Sequence, residues 1–254
     1  MRLNQAILSS TQLAEDLVSG WNQALADKPA AEIIRWAVET FGSKLVFASS
    51  LGAEDQAITH LLAEISPEAR IFTLDTGRLF AETHELIEAT EARYQVRFEV
   101  FSPDSIEVES MVKEHGINLF YRSVENRKLC CSVRKTHPLE RALAGANAWL
   151  CGLRRDQAVT RKELQSVEWD PQHGIPKISP LWNWTEKDVW DFVKANGIPY
   201  NPLHDEGFLS IGCSCCTRAV ASGEDVRAGR WWWESPEHKE CGLHWKDGRL
   251  VRPE

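Results

Sequence analysis

Short apolar segments alternate with helical patterns between residues 44 and 115, and this alternation restricts the fold more than any other feature of the sequence. The apolar segments have the length and composition of buried strands, and they are Lys44–Ala48, Arg70–Leu74 and Val96–Phe101. A helical pattern follows each of them, at Gln56–Ile65, Ala81–Tyr94 and Asp104–His115. Strands that alternate with helices predict an α/β fold, in which helices flank a twisted parallel sheet.

Small and polar residues follow the first two predicted strands, as Ser49–Asp55 and Asp75–Arg78. Ligands of parallel sheets bind outside the carboxyl ends of the strands, so we expect the two turns to meet at one crevice. The first turn either cradles a phosphate with its N–H groups and the following helix N-terminus, or it is an ordinary strand–helix turn. Neither GxxxxGK[ST] nor GxGxxG is present, which excludes a Walker loop and a dinucleotide fingerprint.

The rest of the chain divides into weaker predictions. Helices are predicted at Thr11–Ala26, Pro29–Phe41 and Trp184–Asn196, a strand at Ala148–Cys151, and a hairpin or loop at Lys162–Lys177. Cys151 lies in an apolar run, which is typical of a buried core thiol. We divide the chain into an N-terminal helical segment at 1–43, a nucleotide-binding α/β domain at 44–222 and a C-terminal tail at 223–254. The N-terminal helices either pack on the core or form a subunit contact.

Two groups of cysteines indicate a metal site. Cys130 and Cys131 are adjacent and lie among basic residues, whereas Cys213 and Cys216 form a CxxC. Adjacent cysteines are poorly placed to form a disulfide with each other, so their sulfurs are available for other chemistry. Four thiolates in two local pairs suit an iron–sulfur cluster or a tetrahedral zinc ion. The alternative is a set of buried, reduced cysteines.

The composition limits the class of protein and its partners. Seven cysteines in 254 residues is an odd number in a long chain, which favours reduced thiols over a secreted disulfide framework. A formal net charge of −8 argues against a nucleic-acid partner and favours a local basic site for a small anion. The N-terminus lacks a signal-peptide pattern, and no apolar run approaches the ~18 residues of a membrane helix. We therefore expect no membrane partner and a cytoplasmic location.

The segment between Gly229 and His244 combines aromatic residues with one further cysteine. Three consecutive tryptophans, at 231–233, are typical of packing. Cys241 stands in a polar stretch, three residues before His244. A cysteine with cations nearby is a candidate nucleophile, and an incidental surface thiol is the alternative.

Taken together, these motifs resemble the assimilatory sulfonucleotide reductases of the PAPS reductase family, specifically the cluster-bearing adenosine 5'-phosphosulfate (APS) reductases. The matching stretches run in family order over roughly residues 44 to 244, and they are Ser49–Asp55, Leu74–Arg78, Cys130–Cys131 with Arg134–Lys135, Gly152–Gln157, Ser210–Arg218 and Glu240–His244. The resemblance implies an adenine nucleotide α-hydrolase-like fold with a flexible C-terminal tail that carries the catalytic Cys241.

The resemblance also implies a cofactor and a reaction. The cofactor is a [4Fe–4S] cluster whose ligands are Cys130, Cys131, Cys213 and Cys216. The family usually has proline where this chain has Cys215, which leaves a fifth thiol beside the cluster. The reaction is the reduction of APS to sulfite and AMP in sulfate assimilation. It passes through an S-sulfocysteine on Cys241, with thioredoxin as the reductant and a homo-oligomer as the plausible assembly.

Substrate contacts follow from the same resemblance. The nucleotide is expected to contact residues of the first two strand-end turns, namely Ser49, Ser50, Gly52, Thr76, Gly77 and Arg78. The phosphosulfate is expected to contact cations, namely Lys135, Arg161, Arg227, Arg230 and His244. The alternative for each cation is a solvated surface charge. On an α-helix, Lys135 would share a face with Cys131, four residues before it.

Three other functions stay open at this stage. The nearest is reduction of the 3'-phosphorylated substrate, PAPS, which cluster-free relatives prefer. A second is an ATP-pyrophosphatase-like enzyme with a structural zinc, although Ser49–Asp55 departs from the SGGxDS loop that it needs. The third is an iron–sulfur sensor that binds an adenine nucleotide and has no use for the Cys241 thiol.

Overall fold

A six-stranded sheet organises the part of the chain that this computed structural model describes, which is residues 2–158, 161–221 and 223–235, with side chains from residue 14 onward. The strands are β1 (Leu45–Ala48), β2 (Arg70–Leu74), β3 (Phe98–Phe101), β4 (Ala148–Leu150), β5 (Val167–Asp170) and β6 (Ile175–Ile178). The helices are α1 (Arg2–Leu25), α2 (Ala30–Phe41), α3 (Ala53–Ile65), α4 (Ala81–Tyr94), α5 (Ser105–His115), α6 (Val124–Cys131), α7 (His137–Leu143) and α8 (Glu186–Ala195).

The strand order β3-β2-β1-β4-β6-β5 confirms the predicted α/β class. The first five strands of this order are parallel to their neighbours, and β5 pairs antiparallel with β6. The segment predicted as a hairpin or loop is therefore a hairpin whose two strands extend the sheet. At β5 the backbone is covered by α1, because the Asn22 amide bonds the N–H and the carbonyl of Val167 at 3.0 and 2.9 Å. Covering an edge strand in this way limits pairing with another chain.

Both faces of the sheet are buried, because successive side chains of a strand point to opposite sides. Phe47 packs in one cluster with Ile34 of α2 and Ile58 of α3. Its neighbour Val46 packs in a second cluster, on Trp149 and residues of α7. Burying each side chain of this size contributes about 1.5–3 kcal/mol. The N-terminal helix α2 thus packs on the core of the sheet, one of the two roles open to it from sequence.

The topology places a crevice at the carboxyl ends of β1 and β4. The chain passes from β1 to β2 and β3 on one side and then returns to place β4 on the other side of β1. The order of the strands thus reverses beside β1, and ligands of open α/β sheets bind in the crevice outside the carboxyl ends of the strands at such a reversal. The turns Ser49–Asp55 and Gly152–Gln157 lie at this position.

The helices differ from the sequence predictions at three places. α1 begins at Arg2 rather than Thr11, and α3 begins at Ala53, directly after Gly52. The first cysteine pair lies at the end of α6, which the sequence did not predict. Ser132–Thr136 then form a π-helical turn in place of a continuous α-helix, and Cys131 and Lys135 still line the same cavity. Single π-turns inside helices occur frequently at functional sites. None of the described helices has the length and apolar character needed to cross a membrane.

Candidate active site

Internal hydrogen bonds hold the turn that follows β1. The N–H of the buried Ser49 donates to the carbonyl of Phe72 on the neighbouring strand at 2.9 Å. The N–H of Leu51 donates to the Ser49 hydroxyl at 3.2 Å, and Leu51 has a φ of 62°, a left-handed conformation that costs energy for a residue with a side chain. The surrounding bonds maintain this strain, which leaves the N-terminal N–H groups of α3 directed at the crevice from Gly52 onward.

Asp55 fixes the position of Ser50 within this turn. The Ser50 N–H and hydroxyl both donate to Oδ2 of Asp55 at 2.6 Å. Burial raises the pKa of the Asp55 carboxyl from 3.8 to about 6, although the Ser50 hydrogen bonds lower it. The other oxygen lies against the turn after β4, where a Cβ on Gly152 would be 2.2 Å from Oδ1. Only glycine therefore allows the two turns to approach each other here.

Glu54 connects the same two turns through a second set of bonds. Its Oε1 accepts from Nε and Nη2 of the buried Arg154 at 2.9 and 2.7 Å. It also accepts from the Gln157 amide at 3.0 Å. The Gln157 side-chain oxygen in turn accepts from the Arg161 guanidinium. Arg161, one of the cations predicted for the phosphosulfate, is thus oriented by Gln157, which Glu54 of the turn after β1 holds.

The turn after β2 contacts the segments that carry the cysteines. The buried Thr76 hydroxyl lies 3.2 Å from Sγ of Cys213, and the Thr76 carbonyl accepts from Arg134 at 2.7 Å. The Arg78 carbonyl accepts from the N–H of Ser214 at 2.8 Å. Gly77, between them, has a φ of 67°. The role of these three turn residues in nucleotide binding stays a prediction.

Five cysteines and four cations line one small cavity beside this turn. The cysteines are Cys130, Cys131, Cys213, Cys215 and Cys216, and the cations are Arg78, Arg127, Arg134 and Lys135, with Phe120 and Trp231 completing the wall. All five cysteines are free thiols. The structure therefore brings together the four predicted cluster ligands, the fifth thiol and the predicted Lys135, which lie on segments far apart in sequence.

The thiols of this cavity differ in their acidity. Burial raises the pKa of Cys130 above its usual value. The sulfurs of Cys215 and Cys216 lie 3.8 Å apart. A hydrogen bond from the Cys216 thiol stabilises the thiolate of Cys215 and lowers the pKa of Cys215 to about 6. The same contact raises the pKa of Cys216. The contact between the two sulfurs thus favours ionisation of one thiol of this pair, and thiolates are the form that binds metals.

Two buried donors indicate that this cavity suits an anionic group rich in acceptors. The Nε atom of Arg134 and the Nε1 atom of Trp231 are buried and have no hydrogen-bond partner among the described residues. A buried donor without a partner is costly, whereas a thiolate-ligated cluster offers sulfur acceptors to such donors. The thiols, the cations and these donors therefore fit a [4Fe–4S] cluster, in which four cysteines hold four irons. No three His, Cys, Asp or Glu side chains of the described segments converge as a single metal ion requires.

The segment that follows residue 223 begins beside the same cavity. Trp231 is 1% exposed, and the Arg127 and Arg230 guanidinium groups lie 4.6 and 4.9 Å from its ring centroid. The backbone N–H of Trp231 donates to the Cys216 carbonyl at 3.1 Å. Arg127 and Glu234 form a two-bond ion pair at 3.0 and 2.9 Å. The start of the predicted flexible tail is thus packed, because it buries an aromatic ring and an ion pair against α6.

The remaining predicted residues are placed as follows. Arg230 is buried and donates to the Ile211 carbonyl at 3.0 Å, whereas Arg227 is half-buried and its N–H donates to Asp225 at 2.8 Å. The predicted packing of the tryptophans is confirmed for Trp231, whereas Trp232 is 40% exposed. Cys241 and His244 lie outside the described residues, so their roles stay predictions.

Sequence reasoning missed the residues that hold the two turns and the cavity in place. They are Glu54, Asp55, Arg127, Phe120, Gly152 and Gln157. Several of them stand inside motifs that were recognised, yet nothing in the sequence connected each one to its distant partner. Gly152, at the end of a predicted strand, was the best available signal, because glycine there indicates a close approach of backbone.

The fold and the crevice define a class, the adenine nucleotide α-hydrolase-like α/β proteins. A crystal structure of FMN adenylyltransferase from Candida glabrata shares this fold, with a TM-score of 0.52 at 16% identity over 81% of this chain and 71% of that chain. A crystal structure of PAPS reductase from Candida auris has a TM-score of 0.69 at 31% identity and covers 80% of this chain and 96% of that chain.

Sequence comparison is more specific. The model of the phosphoadenosine phosphosulfate reductase domain matches residues 44–219. A protein of Allochromatium vinosum named adenosine 5'-phosphosulfate reductase is 54% identical over 79% of this chain and 78% of its own length. A protein of the same name from Halalkalibacterium halodurans is 43% identical over 88% of this chain and 94% of its own length. The chain belongs to the phosphoadenosine phosphosulfate reductase family.

Proposed function

We propose that this protein reduces APS to sulfite and AMP. The observation that carries the proposal is the cavity in which five thiols and Lys135 lie beside the strand-end turns of a nucleotide-binding fold. The relatives named APS reductase, at 54% and 43% identity, support the same substrate. The combination of thiols and cations suits a sulfur-centred reaction on an anionic nucleotide.

Two parts of the chain would bind the substrate. The N-terminal N–H groups of α3 and the Ser50 hydroxyl, held by Asp55, would contact the nucleotide. Lys135, Arg161 and Arg230 would surround the phosphosulfate, and Arg227 and His244 would join them. Because these cations offset the negative charge of the substrate, an anionic nucleophile can approach it.

Cys241 would carry the covalent chemistry. Its thiolate attacks the sulfur of the sulfuryl group, so that an S–S bond forms while the bond from that sulfur to the bridging phosphate oxygen breaks. AMP leaves with the electron pair of the broken bond, and an S-sulfocysteine stays on the enzyme. A thioredoxin thiolate then attacks Sγ of Cys241 and releases sulfite, and the second thioredoxin thiol resolves the mixed disulfide. Two electrons thus pass from the thioredoxin dithiol to the sulfur.

Cys130, Cys131, Cys213 and Cys216 would hold a [4Fe–4S] cluster in this enzyme. When bound, the cluster would supply charge that changes the local electrostatic field, whereas the electrons that reduce the substrate would come from thioredoxin. Lys135 lines the cavity that these cysteines form, so its ammonium group would be positioned between the cluster and the substrate. A folded, cluster-free Cys130→Ala protein with full activity would overturn this role.

Competition between APS and PAPS tests the substrate. PAPS is the second candidate, because the Candida auris structure is named a PAPS reductase and shares 31% identity. We expect anaerobically purified protein with thioredoxin to form sulfite from APS when both nucleotides are present at equal concentration. A strong preference for PAPS would contradict the proposal. If a Cys241→Ser variant behaves as the wild type does in this assay, the thiol of Cys241 has no role in the reaction, which would instead favour an iron–sulfur sensor that binds a nucleotide.

The cellular setting is part of the same proposal. Reduced thiols persist in the cytoplasm, where the thioredoxin system keeps them reduced, so we place the protein there. The homo-oligomer implied by the resemblance also stays a prediction, which the molar mass in solution would test.

A further inference from the structure

The cavity contains one thiol more than a [4Fe–4S] cluster takes. Such a cluster is held by four cysteines, whereas five line this cavity. The additional thiol belongs to the pair Cys215 and Cys216, and either one could complete the set that Cys130, Cys131 and Cys213 begin. The inference that follows rests on the cluster proposed above.

The two sulfurs are in contact at the wall of the cavity. Sγ of Cys215 lies 3.8 Å from Sγ of Cys216, and both residues line the cavity. Cys216 is buried and Cys215 is half-buried. The CxxC spacing alone favours Cys216, but the geometry of the folded chain does not separate the two.

The backbone of this turn is fixed at every residue. The Ser214 N–H donates to the Arg78 carbonyl at 2.8 Å, and the Cys216 N–H donates to the Cys213 carbonyl at 2.9 Å. The Cys215 carbonyl accepts from the Tyr121 hydroxyl at 2.8 Å. The Cys216 carbonyl accepts from the Trp231 N–H at 3.1 Å. An exchange of ligand between the two cysteines would therefore need only rotation of their side chains between staggered positions.

We propose that Cys215 and Cys216 are interchangeable ligands for one iron of the cluster. In the exchange, the bond between iron and Sγ of Cys216 breaks and a bond between iron and Sγ of Cys215 forms. The proton of the Cys215 thiol passes to the Cys216 thiolate, so no electron is transferred and no further reactant is needed. At any time, the cysteine of the pair that does not bind iron is a protonated thiol.

Cys213 provides the contrast within the same turn. Its sulfur contacts the Thr76 hydroxyl at 3.2 Å, and no other thiol of the described residues is adjacent to it in the turn. Iron–sulfur clusters are held by Cys thiolates, and no thiol lies as close to Sγ of Cys213 as the two sulfurs of Cys215 and Cys216 lie to each other among the described residues. Cys213 is thus a ligand without a substitute, and its replacement is the matched control.

Iron and sulfide content of anaerobically purified variants tests the proposal. We expect Cys215→Ala and Cys216→Ala to keep about four irons per chain, as the wild type does. The double variant and Cys213→Ala should contain at least about tenfold less. If Cys216→Ala loses its iron as Cys213→Ala does, the proposal is wrong. If the wild type itself contains no iron and sulfide, the cluster of the proposed function fails, and this inference fails with it.

A second measurement on the wild type avoids the risk that a variant does not fold. The iron-loaded protein is treated with iodoacetamide, and its peptides are mapped by mass spectrometry. Interchangeable ligands predict modification of Cys215 in some molecules and of Cys216 in others, with few molecules modified at both. Modification of Cys215 alone would show that Cys216 is the dedicated ligand and would overturn the proposal.

Discussion

The candidate site has two halves, the nucleotide turn and the thiol cavity, and charged groups of opposite sign organise them. At the nucleotide turn, the carboxylates of Glu54 and Asp55 accept hydrogen bonds from Ser50, Arg154 and Gln157. At the thiol cavity, cations surround the cysteines, and buried donors of Arg134 and Trp231 have no partner among the described residues. The carboxylates of the nucleotide turn have their hydrogen-bond donors within the described residues. The thiol cavity instead has buried donors that a bound group with acceptor atoms would satisfy.

This difference predicts different sensitivities for the two halves. A satisfied carboxylate network preorganises the nucleotide turn, so changes there should weaken nucleotide binding while the metal content stays the same. The cavity depends on cations and on packing of the segment near Trp231, so changes there should lower stability and metal content first. Variants of each half therefore test whether nucleotide binding and metal content respond separately.

Removal of Arg127 should have the largest effect. Arg127 and Glu234 have side chains that are 1% and 3% exposed, so Arg127→Ala leaves a buried, unpaired carboxylate. Breaking a buried pair in this way costs about 3–5 kcal/mol. We expect the melting temperature of the variant to fall by roughly 5–20 °C, measured by differential scanning calorimetry. Metal content should fall with it, because Trp231 loses the group that packs on its ring.

Arg218→Ala is the matched control for this variant. Arg218 pairs with Glu224 at 2.8 Å, but these side chains are 38% and 34% exposed. An exposed pair contributes about 0–1 kcal/mol, so the melting temperature should change little. Equal losses in the two variants would mean that the ion pair at the cavity has no special importance.

A side chain at Gly152 should damage the nucleotide half. In Gly152→Ala, the new Cβ would lie 2.2 Å from Asp55 Oδ1 and 3.0 Å from Cβ of Glu54. Overpacking of this kind costs typically about 1–3 kcal/mol, and we expect the upper end because the carboxylate is buried. Calorimetric titration with AMP should show weaker binding, by at least about tenfold, since about 1.4 kcal/mol is tenfold in affinity.

Gly20→Ala provides the control for this change. Gly20 lies in α1, and a Cβ there meets nothing within 4 Å. Alanine in a helix is favoured over glycine by roughly 0.5–1 kcal/mol, so this variant should bind AMP normally. Iron content that falls in Gly152→Ala while AMP affinity holds would contradict the division of the site into two halves.

The pH dependence of Asp55 should have the smallest effect. Burial raises its pKa from 3.8 to about 6, so its contribution to stability is complete below about pH 4 and is lost as the pH rises through 6. Between pH 4.5 and pH 7, the loss is on the order of 2 kcal/mol. The melting temperature of Asp55→Asn should lie below that of the wild type at pH 4.5, and the gap should narrow by pH 7. A gap that is constant or widens would show that this carboxyl does not titrate in the range.

The main elements of the fold followed from sequence, because their signals are local. The strands β1 and β2 and the helix α4 were predicted within one residue, since apolar runs and helical periodicity define them. The π-helical turn Ser132–Thr136 was not predicted, because its pattern of apolar residues does not differ enough from that of an α-helix. The pairing of β6 with β4 also depends on tertiary contacts that no local pattern encodes.

The candidate site divides in the same way. Grouping of Cys130, Cys131, Cys213 and Cys216 followed from residue type and spacing, because few functions need four cysteines in two local pairs. The contacts of Asp55 with Ser50 and of Glu54 with Arg154 could not be predicted, because they depend on how two distant turns approach each other. Sequence therefore indicated which cysteines lie together in the cavity, and the structure shows which side chains position the turns around it.

Transfer of the sulfonate group is the most direct test of the account. Anaerobically purified protein is mixed with APS in the absence of thioredoxin, and its peptides are analysed by mass spectrometry. The account predicts one sulfonate group on Cys241 and release of one AMP per chain, with sulfite appearing only after thioredoxin is added. Release of sulfite without a reductant, or a sulfonate on a cysteine of the cavity such as Cys131 or Cys215, would contradict it.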